Sequence, residues 1–492
     1  MRISLLMALI FSCKLLVDCF AADPSLLSDL PRLKIRKGSA ANVAKQLLLK
    51  RLPFSSVYYV QQMINKTEKL SAEDMLLISH AAYLTSEDYF FNIKQSHLPA
   101  DRGEGIDFIM GLKLAKLKQW NQALSYFGNM LIDDRNYAEG RLYMGSIYYQ
   151  QGKQVLARQQ FSLCIQKAKE RQTETDDRSL KHYYGHLQDS CQMDLARIAY
   201  HDQNMNAAVD AYDKINKRSY RWPDLLLEKA WATYQMEDYN RALGLLVTYK
   251  SPFLRDQIFF PEAEVLTALS YFRLCLWQDT FRVISHFYRS YAPWVLAWRG
   301  LLQSEGRGSD KYYRLVTDES LKPEVEKLHL ATLINQLRTE VKFHLLLNRV
   351  EKINYEISKL ARYRQNKQIK RLIGRLERLK KLKIKAVSRL VRNKMITLTK
   401  ELTRFAFEMF NIKLEMISRQ KNLIYRDETL VADRARGSLN FVKRKTNQYF
   451  WRFSGEFWAD ELGDYSFGLQ SNCEIKSKKV AHTTRVREVA SE

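Results

Sequence analysis

Fifteen of the residues from Lys359 to Lys394 are Lys or Arg, and one, Glu377, is acidic. The stretch carries a net +14 of the chain's +25, so the basicity is local. A solvated coiled-coil face ordinarily alternates sign, and this one does not. The chemistry it supports is electrostatic docking. Lys370, Arg371, Arg375, Arg378, Lys380, Lys381, Lys383 and Lys385 are the candidate contacts for an acidic protein or an anionic lipid surface. Near such a lipid surface each basic side chain adds about 1 kcal/mol. Nucleic-acid phosphate would satisfy the same charges, but the export signal described below disfavours it. The plain alternative is an exposed helix whose acidic partner lies elsewhere. Docking of this kind weakens steeply with salt.

No catalytic constellation accompanies the charge. His182 and His186 stand four apart and would share a helical face, yet no Glu lies between them and no third ligand follows. Solvated or packed histidines are the simpler reading, so neither a metal nor a cofactor is expected. There is no Gly-rich phosphate loop and no Gly-x-Ser-x-Gly elbow. Phe, Trp and Tyr reach 12%, but many fall at packing positions. An enzyme is not expected. A peptidoglycan-associated enzyme, the rival of a different class, lacks an acid/base pair or nucleophile here.

The elements that would hold these residues are announced by a period of 34. Gly111, Ala123 and Phe127 are echoed one period later by Gly145, Ala157 and Phe161. Ala208 and Tyr212 stand the same distance before Ala242 and Leu246. Small residues at two helix crossings, with a large apolar one four residues on, are the tetratricopeptide pattern. Ala196 opens the third unit and Ala230 the fourth, and a looser fifth carries Ala268, Tyr271, Thr280 and Ile284. A polar stretch from Lys167 to Lys181 interrupts the register with an insertion of 17 residues. Such repeats stack helix pairs into a superhelix whose concave face grips another protein.

The expected fold is all-α throughout. Divergent helical hairpins occupy 41–103 and the repeats 104–300; a break follows, and a long basic helical region spans 323–425. Between Pro323 and Asn422 there is no further Pro and one Gly, Gly374. Ile369, Leu372, Leu376, Leu379, Ala386 and Leu390 approximate a heptad seam that Lys383 breaks. A hairpin suits this region better than one unbroken hundred-residue helix. Aromatic residues crowd 449–473, expected as a compact cap whose Asp460, Glu461 and Asp464 pair with the basic helices. A polar, disordered tail is expected over 474–492.

The first 21 residues read as a signal peptide: Arg2, an apolar run from Ile3 to Ser12, then small residues at Ala21 and Ala22. The implied location is the periplasm, with outer-membrane association as the alternative. Ile10-Phe11-Ser12-Cys13 loosely resembles a lipobox that would lipidate Cys13, although Phe11 fits poorly. No later stretch holds 18 uncharged apolar residues. Cys164, Cys191, Cys275 and Cys473 remain after processing, without CxxC spacing. An oxidising compartment permits a disulfide among them, while core packing alone would also account for Cys164 and Cys275.

Two passages carry a family resemblance. One comprises Asp224–Trp231, Asp238–Gly244, Ser251–Phe253 and Phe259–Ala263; the other is Gly455–Gly463 ahead of Ser471-Asn472-Cys473. Together they resemble the envelope tetratricopeptide proteins linked to myxobacterial adventurous gliding motility and TonB-like systems. The resemblance implies a bacterial scaffold that binds other envelope proteins within a force-transducing complex. A periplasmic adaptor for envelope assembly or polymer transport is the alternative.

Overall fold

The computed structural model describes residues 39–254, 259–425, 453 and 455–473. Among these residues the regular elements are helices and no β-strand occurs. In chain order they are α1 (Ala40–Leu49), α2 (Pro53–Lys66), α3 (Ala72–Leu84), α4 (Ile106–Lys116), α5 (Trp120–Gly128) and α6 (Tyr137–Gln150). Next come α7 (Gln154–Glu174), α8 (Arg178–His201), α9 (Met205–Tyr212), α10 (Trp222–Gln235), α11 (Tyr239–Val247) and α12 (Pro261–Arg273). The last six are α13 (Trp277–Ser304), α14 (Lys311–Thr317), α15 (Lys322–Lys327), α16 (Ala331–Thr339), α17 (Val341–Ala361) and α18 (Lys367–Tyr425). The expected signal peptide with Cys13, residues 449–452 and the stretch 474–492 lie outside the described residues. The chain divides into two compact units, Met1–Ile198 with Glu340–Val387, and Ala199–Thr339 with Ser388–Glu492. The stretch 323–425 is thus shared between them.

In the first unit α4 packs on α5 and α6 on α7; in the second α10 packs on α11 and α12 on α13. Each pair also meets the next, through α5 with α6 and α4 with α6, and through α11 with α12 and α10 with α12. Helix pairs one period apart, each stacked on its neighbour, are a tetratricopeptide stack. The crossings explain it. A Cβ on Gly111 of α4 would lie 2.5 Å from the Phe127 ring of α5, and one on Gly145 of α6 would lie 2.6 Å from the Phe161 ring of α7. The absent side chain is the space the ring fills. Ala123, Ala157, Ala196, Ala208, Ala230 and Ala242 are wholly buried, with Tyr212 and Leu246 buried as well. In the second unit the Tyr212 hydroxyl donates to Glu228 Oε2 at 2.9 Å, which lets a tyrosine stand where the first unit uses phenylalanine.

The polar stretch after Lys167 is not a loop. Helix α7 continues to Glu174 and α8 begins at Arg178, so the extra residues lengthen two helices. Their facing sides bury Cys164, Ala168, Tyr183, Tyr184, Leu187 and Cys191. Cys164 and Cys191 are bonded, with Cα atoms 6.4 Å apart, and both are fully buried.

Helices α17 and α18 form a hairpin with unequal arms, 21 and 59 residues long. In the first unit they join the core of α1–α5 through Ile353, Leu360, Ile369, Leu372, Ile373 and Leu376. The expected seam holds at Ile369, Leu372 and Leu376, but Leu379, Ala386 and Leu390 are only half-buried. Burial moves instead to Val387 and Val391. The step from Leu376 to Val387 is eleven residues, the interval a straight helix takes in three turns, so the stripe drifts from a strict heptad.

Glu356 of α17 is buried against the start of α2. Its Oε1 accepts from Phe54 N at 2.8 Å, and its Oε2 accepts from Ser55 N at 2.8 Å and Ser55 Oγ at 2.6 Å. The carboxylate supplies acceptors that the first turn of a helix lacks. Desolvation nonetheless dominates, and burial pushes its pKa up to about 7.

Two predictions follow from these contacts. Gly145→Ala lowers unfolding free energy by up to about 2 kcal/mol, because overpacking (roughly 1–3 kcal/mol) outweighs the helix-propensity gain of about 1 kcal/mol. Gly374→Ala in α18, where a Cβ meets nothing within 4 Å, shows the propensity gain alone and raises stability; denaturant titration measures both signs. For Glu356 the folded pKa lies above the unfolded value, so the folded state holds the proton more tightly. Its contribution is fully present below about pH 4.3 and is lost as pH rises through about 7. Unfolding titrations from pH 4 to 8 should show that slope, on the order of 3 kcal/mol at most, and Glu356→Gln should flatten it.

Candidate interaction surfaces

The basic residues of α18 separate into two groups once their surroundings are known. Arg375 stacks its guanidinium 3.4 Å from the centre of the Tyr58 ring on α2. The Lys383 ammonium lies 4.4 Å from the Tyr89 ring centre, and its pKa is lowered to about 8, first by burial and then by Arg349. Lys380 donates to Asn354 Oδ1 of α17 at 2.8 Å. These three bind the helix to its own unit. Lys370, Arg371, Arg378, Lys381 and Lys385 are exposed. The one acid in the run, Glu377, faces Arg364 at 3.9 Å. Burial of the apolar stripe on one side of α18 therefore directs a positive row, Lys370, Arg371, Arg378 and Lys381, outward.

In the second unit the same helix lies against the repeats. The Tyr288 hydroxyl of α13 donates to Ala406 O at 2.6 Å, and Arg299 Nη2 donates to Thr403 Oγ1 at 3.0 Å. Lys413 and Arg419 sit over the rings of Phe281 and Phe272. Leu398, Leu402, Phe405, Met409, Ile412 and Met416 are buried along that side, spaced alternately three and four apart. A helix of the chain thus covers part of the stack that the repeat pattern alone would leave for a partner. Trp231 and Tyr234 of α10 remain half-buried beside α12, with Trp231 Nε1 donating to Glu262 Oε1 at 3.0 Å and Arg273 Nε donating to the Tyr234 hydroxyl at 3.2 Å. Burial raises the Glu262 pKa, a shift only partly offset by that indole and by Arg404.

Residues 455–473 pack on α11, not on the basic arm. Asp464 pairs with Lys217 at 2.6 Å, and Lys217 also donates to Asp460 O at 2.6 Å. For Asp464 this pair replaces the basic-helix pairing expected from the sequence. Phe453, Phe457, Tyr465 and Phe467 cluster, with Phe453 stacked on Phe467 at 6.1 Å. Cys473 is bonded to Cys275, in the turn between α12 and α13. No sequence spacing signalled either disulfide, because each joins residues brought together only by the stack.

His182 and His186 both lie on α8. Among the described residues no group of three or more His, Cys, Asp or Glu could hold a metal ion, and no helix is long and apolar enough to cross a membrane. The geometry defines an all-α repeat protein of tetratricopeptide type. The solved TPR domain of P58(IPK) is similar to it, aligning over 80% of this chain and 99% of that one at 13% identity and a TM-score of 0.19. At that score the likeness bears on neither function nor partners. No protein-family model and no curated protein matches the chain.

The division between inward and outward cations is measurable. Arg375→Ala should lower stability by about 1 kcal/mol through loss of the partly desolvated ring contact. Arg378→Ala should leave it within about 0.5 kcal/mol. Thermal unfolding of the two variants distinguishes them.

Proposed function

We propose that this chain is a non-catalytic scaffold of the bacterial cell envelope that joins other proteins within a gliding-motility or TonB-like force-transducing complex. The observation that carries the docking part is the exposed row Lys370, Arg371, Arg378 and Lys381 on a helix anchored along its opposite side. An acidic protein surface complements that row, since its charge is fixed in position and the long helix is held by ring and core contacts. Stacked repeats supply the stiffness that transmitting a load requires. Two disulfides join all four cysteines that follow the leader, which supports an oxidising compartment and hence export. The motility assignment draws its support from the residues of the two resembling passages, which touch one another: Gly463 of the second lies against Leu226 of the first. The alternative, an adaptor for envelope assembly or polymer transport, uses the same surfaces.

Reversing Lys370, Arg371, Arg378 and Lys381 to Glu in the full chain provides the test. The unaltered protein should bind poly-L-glutamate with an affinity that falls as salt rises, and the variant should lose that binding while keeping its far-UV circular dichroism. Binding to anionic vesicles with none to poly-L-glutamate would overturn the acidic-protein reading. Deleting the gene should impair gliding while the outer membrane stays tight; a leaky envelope with normal movement would overturn the motility reading.

A further inference from the structure

The C-terminal segment is held on α11 through its backbone, in the manner of a bound peptide. Asn240 accepts the Phe467 N–H on its main-chain oxygen at 3.0 Å. Its side-chain amide then takes both backbone groups of Leu469, accepting from N at 2.9 Å and donating to O at 3.0 Å. Gly244 completes the floor, since any Cβ there would collide with the Tyr465 carbonyl. Phe467 and Leu469, two residues apart on an extended chain, reach the same side. Leu469 enters a pocket of Leu243, Leu274 and Leu276, and Phe467 packs against the same cluster, as do Tyr239 and Tyr271. Main-chain bonds with pockets for alternate side chains are how extended peptides are recognised.

Both ends are fixed as well. Gly463, at φ +85°, donates its N–H to Thr248 Oγ1 at 3.1 Å, and Lys217 grips Asp464. A Cβ at Gly463 would press on Trp222 and Leu226. At the far end Asn472 N donates to Leu274 O at 3.0 Å before the covalent bond from Cys473 to Cys275. Cys473 is exposed, whereas Cys164 and Cys191 are wholly buried. A dithiol reductant in solution therefore reaches Cys275–Cys473 and not Cys164–Cys191. It gives two electrons and two protons to the Cys275–Cys473 bond, leaving two thiols, and itself closes to a disulfide.

We propose that α11 and the α12–α13 turn form a dock for an extended peptide, that residues 455–473 fill it in cis, and that Cys275–Cys473 is the latch that prevents exchange with the same segment of a second copy. The dock fits this sequence at Gly463, Asp464 and Leu469, and a second copy carries all three. Exchange replaces each contact with its equal, the low-cost route to paired chains. This inference is independent of the α18 surface and survives if that surface binds nothing.

The probe is a fluorescein-labelled peptide of residues 455–472, used at about millimolar concentration to match the local concentration that a tether gives. The full-length oxidised protein should exclude it, and dithiol treatment should raise uptake at least tenfold. A full-length variant with Phe467→Asp, Leu469→Asp and Cys473→Ser vacates the dock and should bind the peptide saturably. Adding Asn240→Ala should weaken that binding at least tenfold. Equal uptake by oxidised and reduced protein, or no uptake by a vacated variant with unchanged circular dichroism, would overturn the proposal. Hydrogen exchange on the unaltered protein decides the matter if the variant does not fold. The amides of Gly463, Phe467, Leu469 and Asn472 should be protected when oxidised and lose at least tenfold on reduction, and unprotected amides in the oxidised protein would overturn it.

Discussion

Two helices come closest where one of them gives up a side chain. In this chain the surrendered side chains are those of Gly111 and Gly145, and the rings of Phe127 and Phe161 occupy the vacated space. The interlock sets the pairing of α4 with α5 and of α6 with α7. Since a glycine in mid-helix costs about 1 kcal/mol relative to alanine, its presence is repaid only by the packing of a whole buried ring. Alanine serves at the corresponding crossing of the second unit, where Ala230 is wholly buried. Everything further out depends on these crossings, because a stack with slack between its pairs would offer no fixed surface for a long helix to lie on.

That long helix turns a repeat stack into a surface with a definite charge. Its apolar stripe is spent on the chain's own repeats, first among Ile369, Leu372 and Leu376 and later among Leu398 to Met416. Cations near the stripe are absorbed by aromatic faces, Arg375 by Tyr58 and Lys383 by Tyr89. Those that remain point outward, and their positive field extends over a Debye length of roughly 8 Å at physiological salt. Burial and charge thus act along one element. The buried half fixes position, and the exposed half presents the charge.

The repeat core was legible in the sequence because the interlock is local: a crossing residue and its ring sit sixteen positions apart and recur after 34. The extended α7 and α8 were not, since a largely polar stretch looks like a loop until Ala168 and Tyr183 are seen facing inward. The basic run was visible as charge, but its division was not, because only the partner rings decide which cations are structural. Neither disulfide could be read, as the pairing of Cys275 with Cys473 spans 198 residues. Asn240 gave no signal at all. A lone asparagine in a helix is unremarkable until its amide is found bonded to both backbone groups of one residue in a distant segment.

The central claim is that ring and glycine act as one unit at each crossing, and a double-mutant cycle on Gly111 and Phe127 tests it directly. Unfolding free energies would be measured for Gly111→Ala, Phe127→Leu and the pair. If the ring fills the space the glycine vacates, the smaller leucine makes room for the new methyl, and the pair should cost less than the sum of the singles by about 1 kcal/mol or more. Strict additivity would show that the two residues do not share that space, and the account of how the helices pair would be contradicted.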